Sequence, residues 1–178
     1  MNWTIVRLST LLENASKDDV KEYLKGFKCT KDSDLQTFLH EKAIMYENKG
    51  RSRTYLLIDE DNFNPLAYIT LSLTEICVSG ETSLSNAIKR KMDLKDDKTV
   101  GYLIGQIAKD DSVSEHVGHE LIQTAMRLLK MSYMQNGGRV VCLDCKKELL
   151  DFYQKEGFVL IRSMPDSKNG LYRLVKLF

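Results

Sequence analysis

The sequence predicts an α/β domain built on a mixed sheet of about seven strands flanked by helices. Two observations carry this reading. Residues 53–59 and 66–78 are apolar, β-rich runs separated by Glu60-Asp61-Asn62-Phe63-Asn64-Pro65, the pattern of a hairpin. From Thr99 onward the periodicity runs strand, helix, strand, helix, strand, strand.

The elements follow in order. Residues 3–8 alternate apolar and polar and read as a first strand. A helix starts at Ser16, whose hydroxyl suits an N-cap, with Asp18 and Asp19 at the positive end of the dipole and Gly26 as its stop. Residues 32–48 read as one further helix, with Leu35, Phe38, Leu39, Ala43 and Tyr46 on one face and Gly50 beyond its end. In the strand over 66–78, Ala67, Ile69, Leu71 and Leu73 share one face, and Tyr68, Thr70, Ser72 and Thr74 the other. The polar side is read as the wet face of an antiparallel strand, the alternative being the lining of an acceptor pocket.

Residues 79–98 are polar and charge-rich, contain Lys89-Arg90-Lys91, and read as an insertion or flap holding a short helix from Ser83 to Met92. Residues 100–108 are apolar enough for a central strand. A long helix from Glu115 or His119 to Met134, with Leu121, Ile122, Ala125, Leu128 and Leu129 on one stripe, is closed by Gly137-Gly138. A buried strand over 139–143, a helix over 148–156 and a strand pair over 158–163 and 171–177 complete the chain, the last pair joined by the turn at 165–170. With no repeat or linker, a single domain over 1–178 is expected.

The 178 residues contain 43% apolar and 29% charged side chains, an ordinary globular composition. With 26 basic against 25 acidic residues, net charge is +1, which does not favour broad electrostatic capture of nucleic acid. The basic cluster around 88–91 keeps tRNA open as a partner. No apolar run is long enough to span a membrane, and the first residues lack the plan of a signal peptide, so a cytoplasmic location is expected. Cys142 and Cys145 form a lone C-x-x-C with no second pair to complete a zinc site, and they fall on a strand rather than at a helix start. All four cysteines are therefore expected to be free thiols, and no metal is expected.

Two segments carry chemistry. A helix N-terminus offers unpaired N–H groups and partial positive charge to an anion, and Gly118 allows close approach and a positive φ. Near the C-terminus stands Phe152-Tyr153-Gln154-Lys155-Glu156-Gly157-Phe158.

These segments resemble the core of the Gcn5-related N-acetyltransferase superfamily, in which a central strand splays from its neighbour and acetyl-CoA lies in the wedge. Leu103-Ile104-Gly105-Gln106-Ile107-Ala108 is similar to the family's central strand. The resemblance implies that Gln106, Ile107 and Ala108 meet the pantetheine and thioester. It implies that the segment containing Ser114, His116, Val117, Gly118 and His119 holds the diphosphate. Phe152 and Tyr153 match a second CoA-contacting motif, whose tyrosine often protonates the departing thiolate. The family's loop usually reads Arg or Gln, two residues, Gly, one residue, then Gly or Ala. Here Val113 stands at the first position and His116 at the middle glycine.

The implied reaction is direct attack by a neutral primary amine on acetyl-CoA in a ternary complex, with strand amides near Ile107 and Ala108 holding the carbonyl oxygen. Tyr153 is the candidate general acid. Glu75, which interrupts the apolar face of the third strand, and Asp144, at a strand end, are candidate bases. The alternative is a catalytically weak or inactive CoA-binding module. The acceptor is not identified by any motif, and exposed sheet edges leave a homodimer open.

Overall fold

Alternation from Trp3 sets up the first strand, and a change of periodicity ends it. In the computed structural model, which describes residues 2–78, 80, 84–164 and 170–178, β1 (Trp3–Arg7) pairs antiparallel with β2 (Arg53–Asp59), from Trp3↔Asp59 to Arg7↔Tyr55. Leu8 does not extend the strand. It is fully buried at the start of α1 (Leu8–Asn14), where Leu8, Leu11 and Leu12 recur at helical spacing, an element the alternation reading missed.

α2 (Lys17–Lys25) begins as expected: Ser16 Oγ accepts from the Asp19 amide at 3.1 Å and donates to the Asp19 carboxylate at 2.6 Å. The helix expected over 32–48 is interrupted. It forms α3 (Ser33–Thr37), a π-helical turn (Phe38–Lys42) and α4 (Ala43–Asn48), with the Ala43 amide reaching the Phe38 carbonyl. Phe38, Leu39, Ala43 and Ile44 are all buried, a spacing that a wider turn accommodates.

The chain divides into two compact units. The first comprises the chain up to Ser72 together with Gln106–Leu121. Its core joins Leu8, Val20, Leu24, Phe27, Leu39, Leu56, Tyr68 and Ala108. Tyr68 meets Phe27 edge-on at 5.4 Å between ring centres, and its hydroxyl donates to the Leu35 carbonyl at 2.7 Å. β3 (Pro65–Cys77) pairs antiparallel with β2, giving the expected hairpin. The expected wet face is not found there. Residues 65–71 are buried on both sides, with Tyr68 at 0% and Thr70 at 2% exposure, while Leu73 on the apolar side is 68% exposed. Cover from the packed core, rather than side-chain polarity, decides which residues of this strand see water.

The second unit comprises Leu73–Gly105 and Ile122–Phe178. Ile76, Val78, Leu84, Met92, Val140, Cys142, Ile161 and Val175 form its core. The described part of 79–98 is thus anchored rather than a loose flap: Leu84 and Met92 are buried, and the Val78 amide bonds the Asp97 carbonyl at 2.8 Å. Its helix, α5 (Asn86–Lys91), is capped by Ser85 and is shorter than expected; Ser83, where the sequence places its start, lies outside the described residues. Lys89, Arg90 and Lys91 occupy the last turn of α5, where cations complement the dipole.

β4 (Lys98–Lys109), α6 (Gly118–Asn136) and β5 (Val140–Cys145) form a parallel crossover. Gly137 and Gly138 close α6 with φ of 77° and 81°, and the Tyr102 hydroxyl donates to the Gly137 carbonyl at 2.6 Å. A 3-10 turn (Lys147–Leu149) leads into α7 (Leu150–Lys155). β6 (Val159–Met164) and β7 (Leu171–Leu177) pair antiparallel, and most of the turn expected at 165–170 lies outside the described residues. The sheet order is β1-β2-β3-β4-β5-β7-β6. The parallel pairing of β4 with β5 covers only Tyr102↔Val141 to Ile104↔Leu143, although β4 runs on to Lys109 and β5 to Cys145. No helix among the described residues is long and apolar enough to cross a membrane.

Gly101 shows how tightly β4 is packed in the second unit. A Cβ at this position would lie 2.6 Å from Ile76 Cδ1 and 2.6 Å from the Val140 carbonyl oxygen. Because one of these atoms is backbone, the clash cannot be relieved by a rotamer change alone. Gly101→Ala is expected to cost about 1–3 kcal/mol in urea denaturation, the range for overpacking; unchanged stability would contradict the packing described.

Candidate functional site

The first unit carries a loop built by the residues that end β4. The Asp110 amide bonds the Leu66 carbonyl at 2.7 Å. Its buried carboxylate accepts from the Lys28 amide at 2.6 Å and from the Ser112 amide at 2.8 Å. Asp111 continues the tie: its amide bonds the Lys28 carbonyl at 2.8 Å, and its carboxylate accepts from the Thr30 amide at 3.1 Å. Charge-assisted bonds to backbone amides are among the stronger hydrogen bonds. They fix the strand end and the segment after α2 together.

Beyond Asp111 the loop is held from inside. Val113 is 2% exposed and shares an apolar hollow with Trp3, Leu57, Leu66, Val117 and Leu121. It stands where the resemblance calls for a polar loop residue, and it serves as an apolar anchor instead. Lys109 reaches from the strand end and donates to the carbonyls of Val113 and Glu115, the latter at 3.1 Å. The Val117 amide bonds the Glu115 carbonyl at 3.1 Å, and the Leu121 amide continues the helix onto Val117 at 3.0 Å.

These ties leave the amides of Ser114, Glu115, His116 and Gly118 without a hydrogen-bond partner among the described residues. Ser114, Glu115 and His116 are exposed, and Gly118 opens α6. Gly118 is not among the residues with positive φ, so the freedom suggested for it is not used; the absence of a side chain at the helix mouth is what remains relevant. His119 is exposed in the first turn of α6, and Val117 is half-buried before it. On β4, Gln106 and Ile107 are half-buried, while the Ala108 side chain belongs to the core and leaves only its backbone for a ligand.

The second unit carries the aromatic motif, whose spacing is that of a helix terminator. Gly157 adopts φ 85° just past α7, its amide bonds the Gln154 carbonyl at 2.9 Å, and the Phe158 amide bonds the Tyr153 carbonyl at 3.0 Å. Tyr153 is 6% exposed and meets Phe152 edge-on at 5.0 Å and Phe158 at 6.1 Å. Its hydroxyl has no hydrogen-bond partner among the described residues. Burial, with a smaller effect from Cys145, pushes its phenol up to about 12.

Both carboxylates considered as bases are already engaged. Asp144 accepts a two-pronged bond from Arg173, 2.7 Å on each oxygen. A proton placed on Asp144 would break this fork. Glu75 is 61% exposed and pairs with Lys98 at 3.0 Å, and this contact raises the lysine. None of the four cysteines is in a disulfide; burial pushes Cys145 up to about 11 and Cys142 up to about 12, which makes both poor nucleophiles at neutral pH. Lys109, Asp110, Asp111 and Arg173 were missed by sequence reasoning. The only available signal was a charged triplet directly after an apolar strand.

No family model matches the chain. It is similar in structure to a tyrosine-to-phenylalanine mutant of KacT, with 22% identity, TM-score 0.76, and 99% of this chain and 95% of that chain covered. It is also similar to AtaT complexed with acetyl-methionyl-tRNA(fMet), with 19% identity, TM-score 0.73, and 99% and 94% covered. A third similar structure is AtaTR bound with acetyl-CoA, with 18% identity, TM-score 0.68, and 99% and 93% covered. Together with the seven-stranded order and the β4–α6–β5 crossover, this likeness shows that the chain has the Gcn5-related N-acetyltransferase fold.

Proposed function

We propose that this protein is an acetyl-CoA-dependent N-acetyltransferase. The observation that carries the reading is the run of unpartnered amides at Ser114, Glu115, His116 and Gly118, where α6 begins directly after the central strand. Such a row of donors at the positive end of a 19-residue helix suits a diphosphate. Among the structural neighbours, AtaTR is solved with acetyl-CoA and AtaT with acetyl-methionyl-tRNA(fMet).

In the proposed reaction the acceptor nitrogen attacks the thioester carbonyl, the C–N bond forms and the C–S bond breaks. Backbone groups at Gln106, Ile107 and Ala108 hold the thioester, and its oxygen takes charge beside the strand amides. Tyr153 donates a hydrogen bond from its phenol to the departing sulfur, since burial keeps the group protonated. The amine's proton leaves through water, because Asp144 is held by Arg173 and Glu75 by Lys98. With both candidate carboxylates engaged, the reaction favours an acceptor that is already partly neutral. An α-amine, ordinarily near about 8, meets that condition far better than a lysine side chain near about 10.4. Since AtaT is solved with acetyl-methionyl-tRNA, the α-amine of an aminoacyl-tRNA is the acceptor to try first. A polyamine and a lysine peptide complete the panel.

Calorimetric titration with acetyl-CoA tests the cofactor reading. Wild-type protein is expected to bind with a micromolar Kd, and Gly118→Glu, which sets a carboxylate against the amide row, to abolish binding. Absence of binding by the wild type would remove the reading.

Tyr153→Phe tests the acid. The expected result is a fall in kcat of roughly 10²-fold, typical of losing one proton-donating group, with acetyl-CoA affinity unchanged. Stability should change by less than about 0.5 kcal/mol, because the hydroxyl has no hydrogen-bond partner among the described residues to lose. A stability loss without a kcat loss would reduce Tyr153 to a packing residue. The raised phenol also sets a pH expectation. Its protonated form persists above the ordinary value of 10.0 and is lost only as pH rises through about 12. Hence kcat should show no decline assignable to Tyr153 between about pH 7 and pH 10.

A further inference from the structure

We infer that Lys109 is a positioning residue for diphosphate recognition, acting by turning two loop carbonyls inward so that the neighbouring amides face the ligand. The inference rests on the acetyl-CoA reading above. Lys109 is the last residue of β4 and its side chain is half-buried. Its ammonium donates to the carbonyls of Val113 and Glu115 and has no carboxylate partner among the described residues.

In a trans peptide the carbonyl of one residue and the N–H of the next point in opposite directions. Holding the Val113 carbonyl toward Lys109 therefore aims the Ser114 amide away from it. Holding the Glu115 carbonyl does the same for the His116 amide. These two amides are unpartnered, and both residues are exposed. Released from Lys109, the Val113–Ser114 peptide could rotate and present a carbonyl oxygen to the phosphates, while the Glu115 carbonyl would keep only its bond from the Val117 amide at 3.1 Å.

This accounts for the loop's unusual sequence. Val113 occupies the position where the resemblance leads one to expect Arg or Gln, yet it is buried in the apolar hollow. The positive charge enters instead from the strand end, beneath the backbone rather than beside the ligand. Val113 pins the loop through apolar contact and Lys109 pins it through its carbonyls, so the donors are preorganised before ligand arrives.

The test compares Lys109→Met, which keeps the stem and removes the donors, with Lys109→Arg, which keeps them. Two acetyl donors are used: acetyl-CoA and S-acetylpantetheine, which lacks the diphosphate. Lys109→Met is expected to raise the KM and Kd for acetyl-CoA about tenfold or more with kcat at saturation preserved, and to leave the KM for S-acetylpantetheine unchanged. Lys109→Arg should recover most of the acetyl-CoA affinity. Wild-type affinity for acetyl-CoA in Lys109→Met would overturn the inference while leaving the acetyltransferase reading standing. An equal loss with both donors would also overturn it, as a general folding defect. No acetyl-CoA binding by the wild type would remove the reading and the inference with it. Should Lys109→Met fail to fold, amide hydrogen exchange in the wild type decides: slowing at Ser114 and His116 with acetyl-CoA but not with S-acetylpantetheine supports the inference, and no slowing overturns it.

Discussion

The buried carboxylate of Asp110 is the constraint on which the loop geometry depends. A carboxylate at 8% exposure is costly unless its oxygens are satisfied, and here both accept backbone amides, from Lys28 and Ser112. The requirement works in both directions. Asp110 needs those amides, and the segment after α2, whose backbone turns away from helix at this point, needs acceptors for its own donors. Once Asp110 and Asp111 are set, the chain direction at the end of β4 is fixed, and Val113 and Lys109 need only complete a loop whose origin is already determined.

The regular elements were legible where local chemistry decides them. Ser16 and Asp19 cap each other across three residues, the Gly137-Gly138 pair ends α6, and the 53–77 hairpin follows from apolar runs flanking a polar turn. Failures came where a tertiary contact overrode the local pattern. α1 was missed because Leu8 continues the alternation of β1 and also begins a helical spacing; its complete burial selects the helix. The π turn is invisible to a 3.6-residue template, since it exists to seat Phe38 and Ala43 in the same core. The hydroxyl face of β3 looked wet because Tyr68 and Thr70 are polar, yet the Leu35 carbonyl and the surrounding core give Tyr68 everything it needs.

The site was legible in a different way. The motif around Tyr153 is readable because two of its requirements are local: Gly157 supplies the left-handed residue, and the aromatics on either side pack against one another. The proposed phosphate loop was readable only as a departure from a familiar pattern. Its replacement parts, Lys109 from the strand and Val113 from the loop interior, act through backbone carbonyls and apolar contact. A scan for charged or glycine-rich loop residues does not register either. Arg173 escaped for another reason: it is 29 residues from Asp144, and only the β5–β7 register, which pairs these two residues, brings them together.

That burial also sharpens what Tyr153 can do. A phenol held near 12 is a weaker acid than a thiol, whose ordinary value is about 8.5. Complete transfer of its proton to a CoA thiolate would therefore run uphill, and the resulting tyrosinate would lie beside Phe152, Phe158 and Cys145, none of them a cation. The neutral hydroxyl remains available as a hydrogen-bond donor, because it has no partner among the described residues to give up. In the proposed mechanism Tyr153 thus contributes through a hydrogen bond that strengthens as charge gathers on sulfur. The thiol's eventual proton comes by way of solvent from the amine that lost one. Acid and base are not two side chains exchanging a proton in this arrangement. One is a fixed dipole, and the other is the acceptor's own low affinity for protons, which is why the choice of acceptor amine carries so much of the chemistry.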